Sequence, residues 1–295
     1  MKQPMTNARK QFYLNVWIFA ILLLAVSLTV FWVSKPVSIH FVDVGQGDAC
    51  LVRGGQGGTV LIDGGDVGEG KTLLSYFAKQ NVRKLDAVIL SHLHDDHISG
   101  VKELIQEGFP ITELYLSPIT DHQAEQELLA LTKDAKISVT YLSAEETLNL
   151  GKVTYKVLWP YPKAEYMKEN NQSMVLRLEY GKNRILLTGD VELSAQAELA
   201  MNMGEELKAD VLKVPHHGGK TAVYPPFLTK VQPKIGIISV GVDNYHGHPH
   251  PDMLSALEET GCGILRTDLH GTVSVILHKD RLARIETNEK WRLLQ

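Results

Sequence analysis

The run Ser91-His92-Leu93-His94-Asp95-Asp96-His97 constrains this chain more than any other stretch. It places three imidazoles and two carboxylates within seven residues. Burying so many titratable groups with nothing to neutralise them is costly, because each charge gives up its hydration. Imidazole and carboxylate together suit zinc, manganese or iron. Four or five such donors exceed what one tetrahedral ion takes. The pattern therefore implies two divalent metal ions sharing a site, zinc first and manganese second. Just upstream, Leu85-Asp86-Ala87-Val88-Ile89-Leu90 is apolar and β-branched enough for a buried strand. The donors are expected on the loop where that strand ends, His92 and His94 to one side and Asp96 and His97 to the other.

Residues 11–33 (QFYLNVWIFAILLLAVSLTVFWV) carry no charge and are long enough to cross a bilayer. Arg9 and Lys10 precede them, so the positive-inside rule leaves residues 1–10 in the cytoplasm and the remainder outside. The run ends in Phe31-Trp32-Val33-Ser34-Lys35 without an A-x-A pattern. It reads as an uncleaved single-pass anchor in the cell membrane rather than a cleaved signal peptide. The formal net charge is -4, and Lys2, Arg9 and Lys10 all fall before the anchor, so the remainder is more acidic still. Bulk charge alone gives no nucleic-acid-binding surface, although a local patch or bound metals can compensate. Cys50 and Cys262 lie in apolar or glycine-rich contexts and are expected as buried free thiols.

After a Lys35-Pro36 linker, strands are expected at 37–44, 49–53 and 59–63, with a glycine turn at Gly54, Gly55, Gly57 and Gly58. A helix at 70–80, the strand before the histidines and a helix at 98–106 follow. Strands at 113–116, 137–141 and 152–159 close the first half. The second half loosely repeats the plan of hairpin, helix and strand: strands at 173–180 and 184–188, a helix at 192–202 and a strand at 209–214. A further helix, a strand at 234–240, a helix at 252–260 and strands at 272–278 and 281–287 complete it. Eight of the twelve histidines fall in 92–97, 216–217 and 246–250, each segment after an expected strand, as do Asp63 and Asp190. Two sheets packed face to face with helices outside accommodate this order. Loops at strand ends on such a scaffold are where metal-binding residues are commonly held.

His92-x-His94-x-Asp96-His97, with Leu61-Ile62-Asp63-Gly64-Gly65 before it and Leu187-Thr188-Gly189-Asp190 after, resembles the metallo-β-lactamase superfamily. Phe41-Val42-Asp43-Val44-Gly45-Gln46-Gly47-Asp48, Asn170-Asn171-Gln172-Ser173, Val214-Pro215-His216-His217-Gly218 and His248-Pro249-His250 narrow the resemblance to the extracytoplasmic hydrolase domain of ComEC competence proteins. It spans about 37–285. It implies an α/β, four-layer αββα sandwich, with a hydrolase domain at 37–287 behind the transmembrane helix. It implies further that His92 and His94 bind one metal, that Asp96 and His97 bind the second, and that Asp190 bridges them. His248 matches the superfamily's final histidine ligand, and His216 is a ligand or the acid that protonates the leaving group, so Asp96 and His216 are the expected catalytic pair. Asp63, Asn171 and Ser173 are expected to hold the ligands from behind, although Asp63 is equally a turn residue on local grounds. One departure stands out: Asn170-Asn171 occupy the place of a histidine that many superfamily members put in a Gly-His-Thr-type turn. Asp43 and Asp48 either line the site or stabilise the Gly-Gln-Gly turn. Lys213 either touches an anionic substrate or is a surface lysine at a strand end.

Two bridged ions lower the pKa of a shared water and clamp both oxygens of a phosphoester displacement. The expected activity is therefore that of a metal-dependent phosphodiesterase or nuclease, with a phosphoester, single-stranded DNA included, as substrate. A transport role would need a DNA-uptake partner in the membrane. Two rivals stand: a cell-surface phosphoester hydrolase resembling phosphorylcholine esterases, which the anchor and the acidic balance favour, and a non-catalytic, metal-stabilised binding module.

Overall fold

The computed structural model describes residues 7–33, 36–55, 58–119 and 122–287. Residues 1–6 of the expected cytoplasmic end, Lys35 of the linker and Gly57 of the glycine turn lie outside the described residues. The chain divides into two compact units, Met1–Pro36 and Val37–Gln295. The first is the helix α1 (Asn7–Val33). Its window Asn7–Ser27 has mean hydropathy 1.5 and is long and apolar enough to cross a membrane.

The second unit begins β1 (Val37–Phe41), β2 (Cys50–Arg53), β3 (Thr59–Ile62), α2 (Glu69–Lys79), β4 (Ala87–Ile89), α3 (Asp95–Gln106), β5 (Glu113–Leu116), α4 (His122–Ala135) and β6 (Ser138–Tyr141). It continues β7 (Thr147–Leu150), β8 (Val153–Trp159), β9 (Val175–Tyr180), β10 (Asn183–Leu187), α5 (Leu193–Asn202), β11 (Val211–Lys213) and α6 (Pro225–Val231). It ends β12 (Ile235–Ile238), α7 (Pro251–Glu259), β13 (Gly263–Arg266), α8 (Thr267–His270), β14 (Val273–His278) and β15 (Arg281–Thr287). One sheet is ordered β15-β14-β1-β2-β3-β4-β5-β6 and the other β13-β12-β11-β10-β9-β8-β7.

Alternation along the strands sorts the apolar side chains into three layers. Ile39, Phe41, Val52, Ile62 and Ile89 of the first sheet meet Leu176, Leu178, Ile185, Leu187 and Ile237 of the second. Leu51, Leu61 and Val88 face the other way, onto Leu73 and Phe77 of α2, Val101 and Leu104 of α3 and Leu128 of α4. Leu186, Leu212 and Ile238 likewise pack on Leu199 of α5, Phe227 of α6 and Leu257 of α7. The result is the expected αββα sandwich, and central strands buried on both faces explain their near-continuous apolar sequences.

β3, β4 and β5 run parallel, as do β10, β11 and β12, so each set ends on one edge of its sheet. β1 is antiparallel to β2, and β2 to β3, so the loop after Phe41 reaches the same edge. The two edges are joined where Met174 N donates to Ser91 O at 2.7 Å.

Two differences from the sequence reading matter. α3 starts at Asp95, not at 98, because carboxylates are favoured in a helix's first turn. Asp96 and His97 are thus helical, with only His92 and His94 in the loop. The sequence reading also lacks α4, β7, β13 and the short α8. β7 and β13 lie at the two ends of the second sheet, where little is buried.

Candidate metal centre

Asp63 follows β3 directly, in a left-handed conformation (φ 57). Its buried carboxylate accepts hydrogen bonds from Ser91 N and Ser91 Oγ, both at 2.7 Å, and from His97 Nδ1 at 3.0 Å. That fixes the ring of His97. The opposite nitrogen, Nε2, then lies 3.3 Å from Asp190 Oδ2 and 3.8 Å from Asp96 Oδ1. Burial opposes a charge on His97, but Asp190 and Asp63 outweigh it and hold its pKa well above the ordinary value. His92 is also buried, with Nδ1 at 3.1 Å from Ser91 Oγ. Burial, reinforced by His97, keeps it well below the usual range.

The second sheet supplies Asp190 and His217. Asp190 lies just past β10, where its N–H donates to Ser173 Oγ at 3.1 Å and Ser173 Oγ donates to Asn170 O at 2.7 Å. His216 and His217 lie past β11, both at positive φ (49 and 52). For side-chain-bearing residues that conformation costs about 1 kcal/mol or more each, a strain met mostly at functional sites. His217 is 1% exposed, and its Nδ1 donates to Ser239 O at 2.9 Å. A carbonyl can only accept, so the remaining lone pair is on Nε2, 3.2 Å from Asp96 Oδ2 and 3.5 Å from Asp190 Oδ2. Burial opposes charging this ring too, but Asp190 and Asp48 raise its pKa well above the ordinary value.

Asp96, His97, Asp190 and His217 therefore offer ligand atoms that all lie within 4.8 Å of one another. His92, His94 and His248 stand outside that group. His94, the residue before α3, has its Nε2 at 2.8 Å from Glu169 Oε2, on the rim; its ring is 4.5 Å from that of His92. His248 stacks against His217 with ring centroids 6.2 Å apart. Its loop is braced by Asn244, whose side chain bonds the His248 backbone at both N and O. Among the described residues His217 lies with these carboxylates, while His248, the final ligand the resemblance implies, keeps a buried Nδ1 without a hydrogen-bond partner. His216 sits at the rim, Nε2 3.8 Å from Asp190 Oδ2 and Nδ1 3.4 Å from Glu192 Oε1. Burial lowers its pKa, with Asp190 in partial opposition.

Of the two asparagines, Asn171 turns away. Its Oδ1 accepts from Glu192 N at 3.0 Å and Ala195 N at 3.1 Å, tying down the start of α5. Asn170 Nδ2 reaches His216 Nε2 at 3.4 Å. Sequence reasoning passed over His217 and Glu192. The signal for His217 was the pair His216-His217 itself, two adjacent histidines after an expected strand. Lys213 is neither at the surface nor exposed to a substrate: it is 3% exposed. Cys50 and Cys262 are buried free thiols.

The donor set fits divalent cations. His92 Nε2, His97 Nε2 and Asp190 Oδ1 are buried without a hydrogen-bond partner. Such orphans are rare, and a bound ion is one of their ordinary explanations. Nitrogen lone pairs and carboxylate oxygens aimed at one another repel unless a proton or cation lies between them. A divalent ion there displaces the protons that the carboxylates otherwise draw onto His97 and His217.

The metallo-β-lactamase superfamily model matches residues 42–141. ComE operon protein 3 of Bacillus subtilis is 31% identical over 259 residues, covering 81% of this chain and 33% of that protein. Recombination protein 2 of Haemophilus influenzae is 30% identical over 272 residues, covering 90% of this chain and 32% of that one. The chain is a ComEC-like protein with the metallo-β-lactamase fold. It spans about a third of the length of these curated relatives. The solved metallo-β-lactamase fold protein YhfI of Bacillus subtilis shares the fold at a TM-score of 0.54 and 18% identity, covering 79% of this chain and 96% of that one. Superfamily members are usually metal-dependent hydrolases.

Proposed function

We propose that the chain is a membrane-anchored, extracytoplasmic phosphodiesterase that cuts nucleic acid, single-stranded DNA foremost. The observation that carries this reading is the convergence of Asp96, His97, Asp190 and His217 from two sheet edges, beside the unpartnered Nε2 of His92. In this reading Asp96, His97, Asp190 and His217 would hold one ion. His92 and His94 would hold the other. Bound divalent ions supply Lewis acidity for the attacking water and the phosphoryl oxygens.

The chain's own groups do the rest. Asp63 and Ser239 fix the rings of His97 and His217 through Nδ1, which keeps each Nε2 on target. Ser173 steadies the backbone of Asp190. His216, at the rim between Asp190 and Glu192, is placed to exchange a proton with the leaving oxygen. The likeness to competence proteins supports a role linked to DNA uptake. A membrane partner that delivers the strand completes the scheme.

The test uses the full chain in detergent, loaded with zinc or with manganese. Substrates are single- and double-stranded DNA, RNA, a chromogenic phosphodiester and a phosphorylcholine ester. Turnover of single-stranded DNA that disappears in Asp190→Asn supports the reading. Turnover of the phosphorylcholine ester alone favours the cell-surface esterase, and no turnover with either metal leaves the binding module. Protease protection in intact cells tests the topology: the second unit should be cut from outside.

A further inference from the structure

We infer that Asp48 and Lys213 form a buried positioning pair that sets the spacing of the two halves of the metal centre and thereby its affinity for an ion. The inference rests on the metal reading above and adds to it the groups that hold the centre's geometry.

Lys213 closes β11 on the same face as Val211, so it points between the sheets. Phe41, Ile62, Met174 and Leu187 share the walls of a cavity of about 20 Å³ with it, as do Asp48, Asp63 and Ser91. An ammonium in such surroundings is retained only when paired. Lys213 Nζ is 2.6 Å from Asp48 Oδ2 and donates to Val214 O at 3.0 Å. Burial pushes the Asp48 carboxyl up, but Lys213 and His217 outweigh it and hold its pKa at about 2.

Asp48 touches both halves of the centre. Its backbone N–H donates to Asp96 O at 3.1 Å and its carbonyl accepts from Gly65 N at 2.8 Å, which ties it to the start of α3 and the end of β3. Gly47, at φ +125, makes this approach possible: a Cβ there would lie 2.3 Å from Asp96 O. The side chain of Asp48 crosses to the other sheet, to Lys213 and to His217 Nδ1 at 3.4 Å from Oδ1. His97 and Asp96 come from the first edge, and His217 and Asp190 from the second. Their separation has to be held within a fraction of an ångström for all four to reach one ion. The Asp48–Lys213 pair is a charged, buried tie across that junction. Lys213 is a positioning residue and touches none of the four ligand atoms.

The test compares Lys213→Met, Asp48→Asn and the double variant with the wild-type full chain in detergent. Cobalt(II) is titrated in and followed by its visible absorption, and thermal stability is measured without metal. Lys213→Met leaves Asp48 buried and unpaired, so it should lose both stability and affinity. The double variant removes both charges and should regain stability. Its affinity for the ion held by Asp96, His97, Asp190 and His217 should stay about 10-fold to 100-fold below wild type, the range usual for groups that orient ligands. A double variant with wild-type affinity overturns the proposal, because the pair would then only satisfy buried charge. Should Lys213→Met fail to fold, Asp48→Asn and the double variant still decide. Wild-type chain that binds no cobalt at all overturns the metal reading instead.

Discussion

The first sheet brings its half of the centre in one stretch, Ser91 to His97, backed by Asp63; the second assembles its half from the ends of β10 and β11 and the loop after β12. The difference lies in how each half is braced. In the first, the helix α3 starts inside the stretch, so its own backbone bonds set Asp96 and His97. Asp63 then locks the His97 ring from the neighbouring strand. In the second, no α-helix among the described residues contains the donors. Asp190 depends on Ser173, and His217 on Ser239, each from another strand end. A compact half is readable as a motif, and a dispersed half is readable only once the parallel strands are known to end together.

Asp190 is where the halves meet, so removing its charge should break the comparison outright. Its Oδ2 stands 3.3 Å from His97 Nε2 and 3.5 Å from His217 Nε2. Asp190→Asn should lower turnover about a thousandfold or more, about 4 kcal/mol of transition-state stabilisation. Metal analysis on the same preparation should show ion loss. A variant that keeps its ions and its rate would mean that the two halves work independently.

The pair His217 and His248 sharpens the dispersed half. His217→Ala should weaken cobalt(II) binding about a hundredfold, close to 3 kcal/mol. His248→Ala, one ring further out, should cost less than about tenfold. The reverse order would make His248 rather than His217 the final histidine ligand.

How far these halves could be read from sequence follows from the same contrast. The αββα order, the strand-end placement of the histidines and Asp63, and Asp190 were visible because buried strands write continuous apolar runs. α4, β7 and β13 were not, because an edge strand or a mostly exposed helix leaves little apolar pattern. His217 was passed over because φ is positive at both His216 and His217, which turns the ring in a way that strand alternation cannot foretell. Lys213 was expected to be exposed, at an anionic substrate or at the surface, because a lysine at a strand end normally is; its partner Asp48 lies 165 positions away in the chain and on the other sheet.

Away from the centre, the first sheet buries a neutral histidine. His40 on β1 has Nδ1 at 2.8 Å from Ser274 Oγ and 2.9 Å from Tyr76 OH, and Nε2 at 2.8 Å from Ser38 Oγ. Burial, aided by Arg53, lowers its pKa from 6.5 to about 4. The unfolded chain then binds a proton between those values that the folded chain refuses. Stability is therefore full above pH 6.5 and falls as pH drops toward 4, by about 3 kcal/mol in all. Urea unfolding of the metal-free chain across this window should show the slope, and His40→Gln should flatten it. An unchanged slope in His40→Gln would assign the acid sensitivity to the histidines of the metal centre, since His92, His216 and His248 are also held below the ordinary value.

The smallest effect concerns Asn171, at the place where a superfamily histidine is absent. Its side chain accepts from Glu192 N and Ala195 N and so acts on the start of α5. Asn171→Ala leaves those two amides without a partner, and the loss of such a capping acceptor costs about 1 kcal/mol. Thermal unfolding should record that loss, while cobalt(II) stoichiometry stays at the wild-type value. The same geometry makes Asn171→His a poor way to add a ligand, since the new ring would enter the space beside α5 rather than face Asp190. An extra ion bound by Asn171→His would show that this loop can turn inward, and that the second half of the centre is less firmly set than the bonds of Ser173 and Asn171 imply.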